Sequence, residues 1–273
     1  MTVTEVEQNT KVVSLSIDGK TVSVPYGSTI LQAARQARVY IPTLCHHESL
    51  SPYGACRLCI VQASGINGFP TSCSTPVEDG MIVKTATPEI QELRRNILEL
   101  ILTEHPHKCL TCHRKERCGP FDICLRNVAV TERCVLCGKN KRCELQTVAD
   151  YIGIQTLESS LTYTYRNLPV LSDSPFFDRD YNLCILCGRC VRVCQEVRGA
   201  SAIAFTYRGS DALVGTAFGR TLQDAGCQFC GACVDACPTG ALLDKQDRWS
   251  QAIDRKVMTT CPYCGVGCQL LLS

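Results

Sequence analysis

Residues 184–194 read CILCGRCVRVC and residues 227–237 read CQFCGACVDAC, so both are C-x2-C-x2-C-x3-C. Three thiols spaced two residues apart on a tight loop can wrap three irons of a cubane. The fourth iron needs a ligand from elsewhere. A tandem pair supplies it by exchange, the last cysteine of each run ligating the other run's cluster. The spacing therefore assigns Cys184, Cys187, Cys190 and Cys237 to one [4Fe–4S] cluster, and Cys227, Cys230, Cys233 and Cys194 to a second. Gly188 and Gly231 fall inside the loops, where amide donors must turn toward sulfur and a side chain would crowd. The repeat departs in its flank, since Pro238 follows Cys237 but Gln195 follows Cys194. The plainer alternative for any set of four thiols is zinc.

Other cysteines fall into further groups. Cys45, Cys56, Cys59 and Cys73 suit a [2Fe–2S] centre on a loop, although their spacing differs from the plant-type C-x4-C-x2-C. Zinc or free core thiols are the alternatives there. His46 and His47 adjoin Cys45, but four thiols already saturate the site. Residues 105–118 read HPHKCLTCHRKERC and residues 134–143 read CVLCGKNKRC, so C-x2-C-x5-C occurs twice, with Cys124 between the copies. The last three cysteines, Cys261, Cys264 and Cys268, stand in CPYCGVGC.

Composition favours metal over disulfides. The chain has 22 cysteines in 273 residues, near the level of about 8–10% at which composition alone points to a sulfur-stapled scaffold. The N-terminus MTVTEVEQNTK has neither an apolar core region nor a small-residue cleavage site, so no secretory signal is expected. No apolar run nears the roughly 18 residues that span a membrane, and Ile97–Leu102 is interrupted by Glu99. These features predict a cytoplasmic chain, where clustered thiols usually bind metal. A net charge of +2 gives no electrostatic case for nucleic acid or an anionic membrane. With 6% aromatic residues and one tryptophan, Trp249, the core should be thin and metal should supply part of the folding free energy.

The elements that position these thiols follow from pattern. Residues 12–25, VVSLSIDGKTVSVP, alternate around Asp18-Gly19 and predict a hairpin. Thr29–Ala37 predicts a short helix, and Ile60-Val61 reads as a strand. Residues 88–104 form the clearest helix, with Thr87 as cap, Pro88 at the first position and Ile90, Leu93, Ile97, Leu100 and Ile101 as its apolar stripe. Residues 156–180 read as a polar connector. AIAFTYRG and ALVGTAFG, around Gly209-Ser210, read as two short strands. The expected fold class is α+β and modular: a ubiquitin-like (β-grasp) [2Fe–2S] domain over 1–86, a helical cysteine-rich [4Fe–4S] segment over 87–155, a 2[4Fe–4S] ferredoxin domain over 156–245, and a short cysteine-rich tail over 246–273.

IPTLCHHESLSPYGACRLC, HPHKCLTC with a cysteine five residues on, and the tandem block together resemble the N-terminal iron–sulfur region of the large iron–sulfur subunit of respiratory complex I. They are equally similar to the diaphorase iron–sulfur subunit of NAD-reducing hydrogenases, to NAD(P)-linked formate dehydrogenase alpha subunits and to the N-terminus of iron-only hydrogenases. The resemblance covers about residues 12–268. It implies that the first centre is [2Fe–2S] and that the second is a [4Fe–4S] cluster with one histidine, His-x3-Cys-x2-Cys-x5-Cys, matched by His105, Cys109, Cys112 and Cys118. A neutral histidine in place of a thiolate should raise that cluster's potential. The bland reading of His105 is a histidine favoured by a helix C-terminus.

The doubled triplet departs from that family pattern, and CELQ, which follows the family's single copy, here follows the second. The expectation is an added [4Fe–4S] cluster at Cys124, Cys134, Cys137 and Cys143. Another partition stays open, in which Cys124 completes Cys109, Cys112 and Cys118 while His105 or His113 serves the second copy. Zinc in the second copy is a further alternative. CPYCGVGC resembles the cluster-binding start of molybdopterin oxidoreductases, so Cys261, Cys264 and Cys268 are candidates for a further cluster lacking a fourth ligand.

The implied function is electron transfer without a substrate site, since no catalytic nucleophile and no G-x-G-x-x-G or G-x4-G-K-[ST] is present. The implied partners are an NAD(P)H-oxidising flavoprotein with FMN and a catalytic oxidoreductase, for which the tail favours a molybdenum or tungsten formate dehydrogenase. The alternatives are the electron-input subunit of an NADH:quinone oxidoreductase or an NAD-linked hydrogenase, and, in another class, a zinc-stabilised scaffold. Neither nucleic acid nor direct membrane insertion is expected.

Overall fold

The computed structural model describes residues 11–158, 160–246, 257–262 and 265–272; Trp249 and Cys264 lie outside them. Strand β1 (Val12–Ile17) turns back into β2 (Lys20–Pro25). Val13, Leu15, Ile17, Val22 and Val24 point inward and their neighbours outward, the period-two pattern of a half-buried sheet. The turn has φ of 48° at Asp18 and 83° at Gly19, so both residues are left-handed, as a two-residue hairpin requires. The Asp18 carboxylate accepts hydrogen bonds from the Thr85 amide at 2.8 Å and hydroxyl at 2.5 Å. That ties the turn to the end of a distant strand.

Helix α1 (Ile30–Gln36) is closed by a reciprocal cap between Thr29 and Gln32 and buries Ile30, Leu31, Ala33 and Ala34. The Ile60-Val61 strand is displaced: Ile60 makes only an isolated bridge to Thr71, and the strand is β3 (Gln62–Ala63). Strand β4 (Ile82–Lys84) runs parallel to β1 and antiparallel to β3, giving the order β2-β1-β4-β3.

Helix α2 (Pro88–Leu102) is capped by the Thr87 hydroxyl. Its buried face is rotated from the expected stripe. Ile90, Arg94, Leu98, Glu99 and Leu102 are buried, while Leu100 is 61% exposed. Arg94 explains the rotation. It is wholly buried, and its guanidinium donates to the carbonyls of Leu58 and Ile60, each at 2.9 Å. Leu98 and Leu102 pack with Leu44 and Leu58 and with Leu145, Val148 and Ile152 of helix α3 (Glu144–Ile152).

The end of the polar connector is strand β5 (Phe177–Arg179), which the sequence reading missed. Helix α4 (Arg189–Arg192) continues as a wider π turn over Val193–Val197. Strands β6 (Ala204–Thr206) and β7 (Leu213–Gly215) form the expected hairpin. Helix α5 (Ala232–Ala236) leads to β8 (Leu242–Asp244), the antiparallel partner of β5. Strands β9 (Val257–Thr260) and β10 (Gln269–Leu272) pair in the tail. Among the described residues no helix is long and apolar enough to cross a membrane.

Candidate metal centres

The two C-x2-C-x2-C-x3-C runs fold alike. In the first, Leu186 has φ 51° and Gly188 φ 73°; in the second, Phe229 has φ 51° and Gly231 φ 74°. This left-handed twist turns the Leu186 amide onto the Cys184 sulfur and the Phe229 amide onto the Cys227 sulfur, both at 3.4 Å. Crowding accounts for one glycine only. A Cβ on Gly188 would lie 3.2 Å from the Phe205 ring, whereas one on Gly231 would meet nothing within 4 Å. The left-handed backbone is what the two share.

Burial dominates the electrostatics of these thiols, and neighbouring thiols add to it. Burial pushes Cys184 up to about 11, Cys187 to about 12 and Cys190 well upward, and Cys237 adds to each shift. Burial also pushes Cys233 up to about 12, with Cys227, Cys230 and Cys194 adding to it. Thiols packed this way shed their protons readily only beside a cation, which is what bound iron supplies.

Cys45, Cys59 and Cys73 are buried at 1% exposure each. A hydrogen bond with Cys56 lowers Cys45 to about 6, and one with Cys59 lowers Cys73 to about 7; their partners rise. The Cys56 amide also reaches the Cys45 sulfur at 3.4 Å. Cys73 acts on Cys45 as well, so the four thiols form one neighbourhood. Both ring nitrogens of His46 are buried without a partner, and burial lowers it to about 4.

The duplicated triplets are duplicated in shape. The Cys112 amide donates to the Cys109 carbonyl at 3.1 Å, and the Cys137 amide to the Cys134 carbonyl at 3.0 Å. The third cysteines match too, with φ/ψ of −83°/122° at Cys118 and −82°/120° at Cys143. Two cavities adjoin them. One of about 370 Å³ is lined by Cys109, Cys112, Cys118 and Cys124; one of about 210 Å³ is lined by His105 and Cys137. Cys134 and Cys143 border both. Cys109 hydrogen-bonds Cys134 across that border and is lowered to about 6. His105 is buried, its Nδ1 lies 2.9 Å from the Pro106 carbonyl, and burial lowers it to about 4. The ring is neutral at pH 7, and bonding through Nδ1–H leaves Nε2 as the acceptor.

In the tail, the Cys261 amide donates to the Cys268 carbonyl at 2.8 Å, so the hairpin sets these two cysteines opposite each other. Among the described residues no three His, Cys, Asp or Glu side chains are arranged to hold a single ion. A cubane needs something different, because its thiolates stand apart on separate irons.

Sequence reasoning missed the arginines that frame the thiols. Arg189 donates to both Glu144 oxygens at 2.6 and 2.7 Å, joining α4 to the residue after Cys143. Arg192 donates to the carbonyls of Cys45 at 2.5 Å and Ser51 at 2.9 Å and stacks on Tyr53. The one available signal was their place inside CGRCVRVC.

Residues 10–88 match the family model described as a 2Fe-2S iron-sulfur cluster binding domain. Residues 94–119 match the NADH-ubiquinone oxidoreductase-G iron-sulfur binding region, and residues 174–243 the ferredoxin-like domain of NADH-quinone oxidoreductase subunit 3. Three successive stretches of the chain thus resemble the iron–sulfur region of this subunit family.

Relatives span several complexes. The chain is 35% identical over 94% of its length to the NADPH-Fe(3+) oxidoreductase subunit alpha of Geobacter sulfurreducens, of which it covers 27%. It is 37% identical over 86% of its length to the NADP-reducing hydrogenase subunit HndD of Solidesulfovibrio fructosivorans, of which it covers 37%. It is 32% identical over 85% of its length to the mitochondrial NADH-ubiquinone oxidoreductase 78 kDa subunit of Neurospora crassa, covering 28% of it. The chain thus spans roughly a quarter to a third of these relatives. Among solved structures it resembles a chain of an NAD+-reducing [NiFe]-hydrogenase in the H2-reduced state, with a TM-score of 0.70 and 28% identity over 88% of this chain and 91% of that one.

Proposed function

We propose that this chain is a cytoplasmic electron-conducting subunit, carrying electrons between an NAD(P)H-oxidising flavoprotein and a catalytic oxidoreductase. It is read as four parts: a β-grasp [2Fe–2S] domain to residue 86, a middle segment to 155, a two-cluster ferredoxin domain to 245 and a tail. The observation that carries the proposal is the tandem C-x2-C-x2-C-x3-C pair folded alike, with matching left-handed turns that bring the Leu186 and Phe229 amides onto the Cys184 and Cys227 sulfurs. A tandem pair of this kind suits iron–sulfur cubanes rather than scattered zinc. Bound iron–sulfur clusters supply one-electron transfer, with potentials set by ligand charge, burial and hydrogen bonds.

The chain's residues do the rest. Cys45, Cys56, Cys59 and Cys73 hold the [2Fe–2S] centre. Cys184, Cys187, Cys190 and Cys237 hold one cubane, and Cys194, Cys227, Cys230 and Cys233 another. His105 and the seven cysteines from Cys109 to Cys143 hold two more, and Cys261, Cys264 and Cys268 are candidates for a tail cluster. The Leu186 and Phe229 amides donate to ligand sulfurs and so bear on potential. Arg192 fastens the Cys45 loop to α4, keeping the first module against the ferredoxin domain.

CPYCGVGC supports a molybdenum or tungsten formate dehydrogenase as the catalytic partner, although the relatives' names point to ferric, hydrogenase and quinone chemistry. Co-purification of the native complex separates these by the metal and the subunits recovered. Anaerobically purified chain should be brown, contain iron and acid-labile sulfide, and give paramagnetic signals when reduced. A colourless protein with zinc and no sulfide would end this reading.

A further inference from the structure

We propose that His105 serves the second cysteine triplet, Cys134, Cys137 and Cys143, and that Cys124 joins Cys109, Cys112 and Cys118 in a separate four-thiolate centre. The inference rests on the iron–sulfur reading above and decides its ligand partition. It reverses the arrangement in which the histidine serves the triplet beside it in sequence.

The cavities are the first observation. Cys109, Cys112, Cys118 and Cys124 all line the larger one, and His105 does not. His105 lines the smaller one with Cys137, which the larger one excludes. Cys134 and Cys143 form the wall between the two, so either side of that wall is open to them. What sorts the sets is where His105, Cys137 and Cys124 stand.

The staples are the second. Arg126, two residues past Cys124, donates to the Lys108 carbonyl and to the Thr111 hydroxyl, both at 2.9 Å. Arg133 donates to the Asp122 carbonyl at 3.0 Å and reaches the Cys118 sulfur at 3.8 Å. The Arg126 bonds fold the Cys124 loop back onto the first triplet, while Arg133, which directly precedes Cys134, ties the start of the second triplet to both. No such tie draws the Cys124 loop to Cys137, which is seated elsewhere: a Cβ on Gly240 would lie 2.4 Å from its sulfur.

The third is the histidine. With Nδ1 committed to the Pro106 carbonyl at 2.9 Å, Nε2 is the nitrogen left to face the smaller cavity. In this arrangement residues 106–133 are an insertion that separates the histidine from its triplet and carries an extra centre. Leu145-Gln146, two residues past Cys143, fits, because a Leu-Gln pair there is the expected ending of a family copy.

The test uses the full chain, purified anaerobically with its clusters. Pulsed paramagnetic resonance of the reduced protein reads nitrogen coupling from a histidine ligand, and iron analysis counts clusters. Wild type should show one nitrogen-coupled cluster. His105→Cys should keep the iron and lose the coupling. Cys137→Ser should abolish the nitrogen-coupled signal. Cys118→Ser, and independently Cys124→Ser, should each lose about four irons and keep that signal. Retention of the [2Fe–2S] signal marks a folded variant, and Cys112→Ser replaces Cys118→Ser if the latter does not fold. Coupling lost with Cys118→Ser but kept with Cys137→Ser overturns the proposal. So does loss of the same cluster from Cys124→Ser and Cys137→Ser, or a cluster-bearing wild type without coupling. A wild type without iron and sulfide would instead refute the iron–sulfur reading itself.

Discussion

Arg94 shows how much one side chain can organise around a thiol loop. Its guanidinium is buried between α2 and the Cys56–Cys59 turn, where it satisfies two carbonyls. Leucine would fill much of the volume but leave both carbonyls dry and unpaired, at a cost of about 3 kcal/mol. Arg94→Leu should therefore lower the chain's denaturant midpoint in step, and an unchanged midpoint would show that water replaces the guanidinium. Gly188→Ala and Gly231→Ala make a finer test. Both carry the left-handed strain of roughly 1–2 kcal/mol, but only the first also meets an aromatic ring at 3.2 Å. Gly188→Ala should be the less stable of the two by thermal unfolding, and equal loss would show that Phe205 moves aside freely. At this scale the cysteines gave the most explicit expectations, because ligand spacing is written along the chain. The arginines were not, because a carbonyl acceptor leaves no trace in composition.

Among the elements, the N-terminal hairpin, α1 and the β6–β7 hairpin were read closely, since alternation, a capping Thr and Gly turns are local signals. Strand β5 was missed because its partner β8 lies more than sixty residues away, and three residues of a polar stretch carry no period. The stripe on α2 was misplaced by the assumption that only apolar residues face inward. The joint between α3 and α4 is likewise non-local. Glu144 opens α3 directly after Cys143, and Arg189 stands between Cys187 and Cys190, so their two-pronged pair couples neighbouring thiol loops. Arg189 is 3% exposed but Glu144 is 47% exposed, so water screens part of the attraction. Glu144→Gln should cost about 1–2 kcal/mol by chemical unfolding because it leaves the buried Arg189 charge without its counter-ion, and Arg189→Met somewhat less because the Glu144 it leaves is solvated. A larger effect from Arg189→Met than from Glu144→Gln would contradict this account.

Across the described residues, three larger apolar cores are joined by polar ties and by a small fourth cluster of Leu50, Val193 and Ala236 rather than by one large interior. Beside that cluster Arg192 ties the Cys45 loop to α4 through the Cys45 and Ser51 carbonyls, and Glu196 reinforces it by accepting the Ser51 amide at 2.9 Å. Arg192→Ala should leave the hairpin β1–β2 as protected as before while speeding amide hydrogen exchange over residues 45–54, and uniform protection would show that packing alone holds the loop. The modular order was legible because each cysteine set announces its own module; how the modules lean on one another was not. The wall behind Cys137 illustrates this. Gly240 and Leu183 form part of it, and the Pro238 carbonyl accepts the Glu144 amide at 2.9 Å. These groups are translated well after Cys137 has left the ribosome, so on the nascent chain the middle segment has no back wall until the last module closes. Maturation of that segment is therefore tied to completion of the ferredoxin block, and a polypeptide halted before residue 238 would present its central thiols to solvent and oxidant.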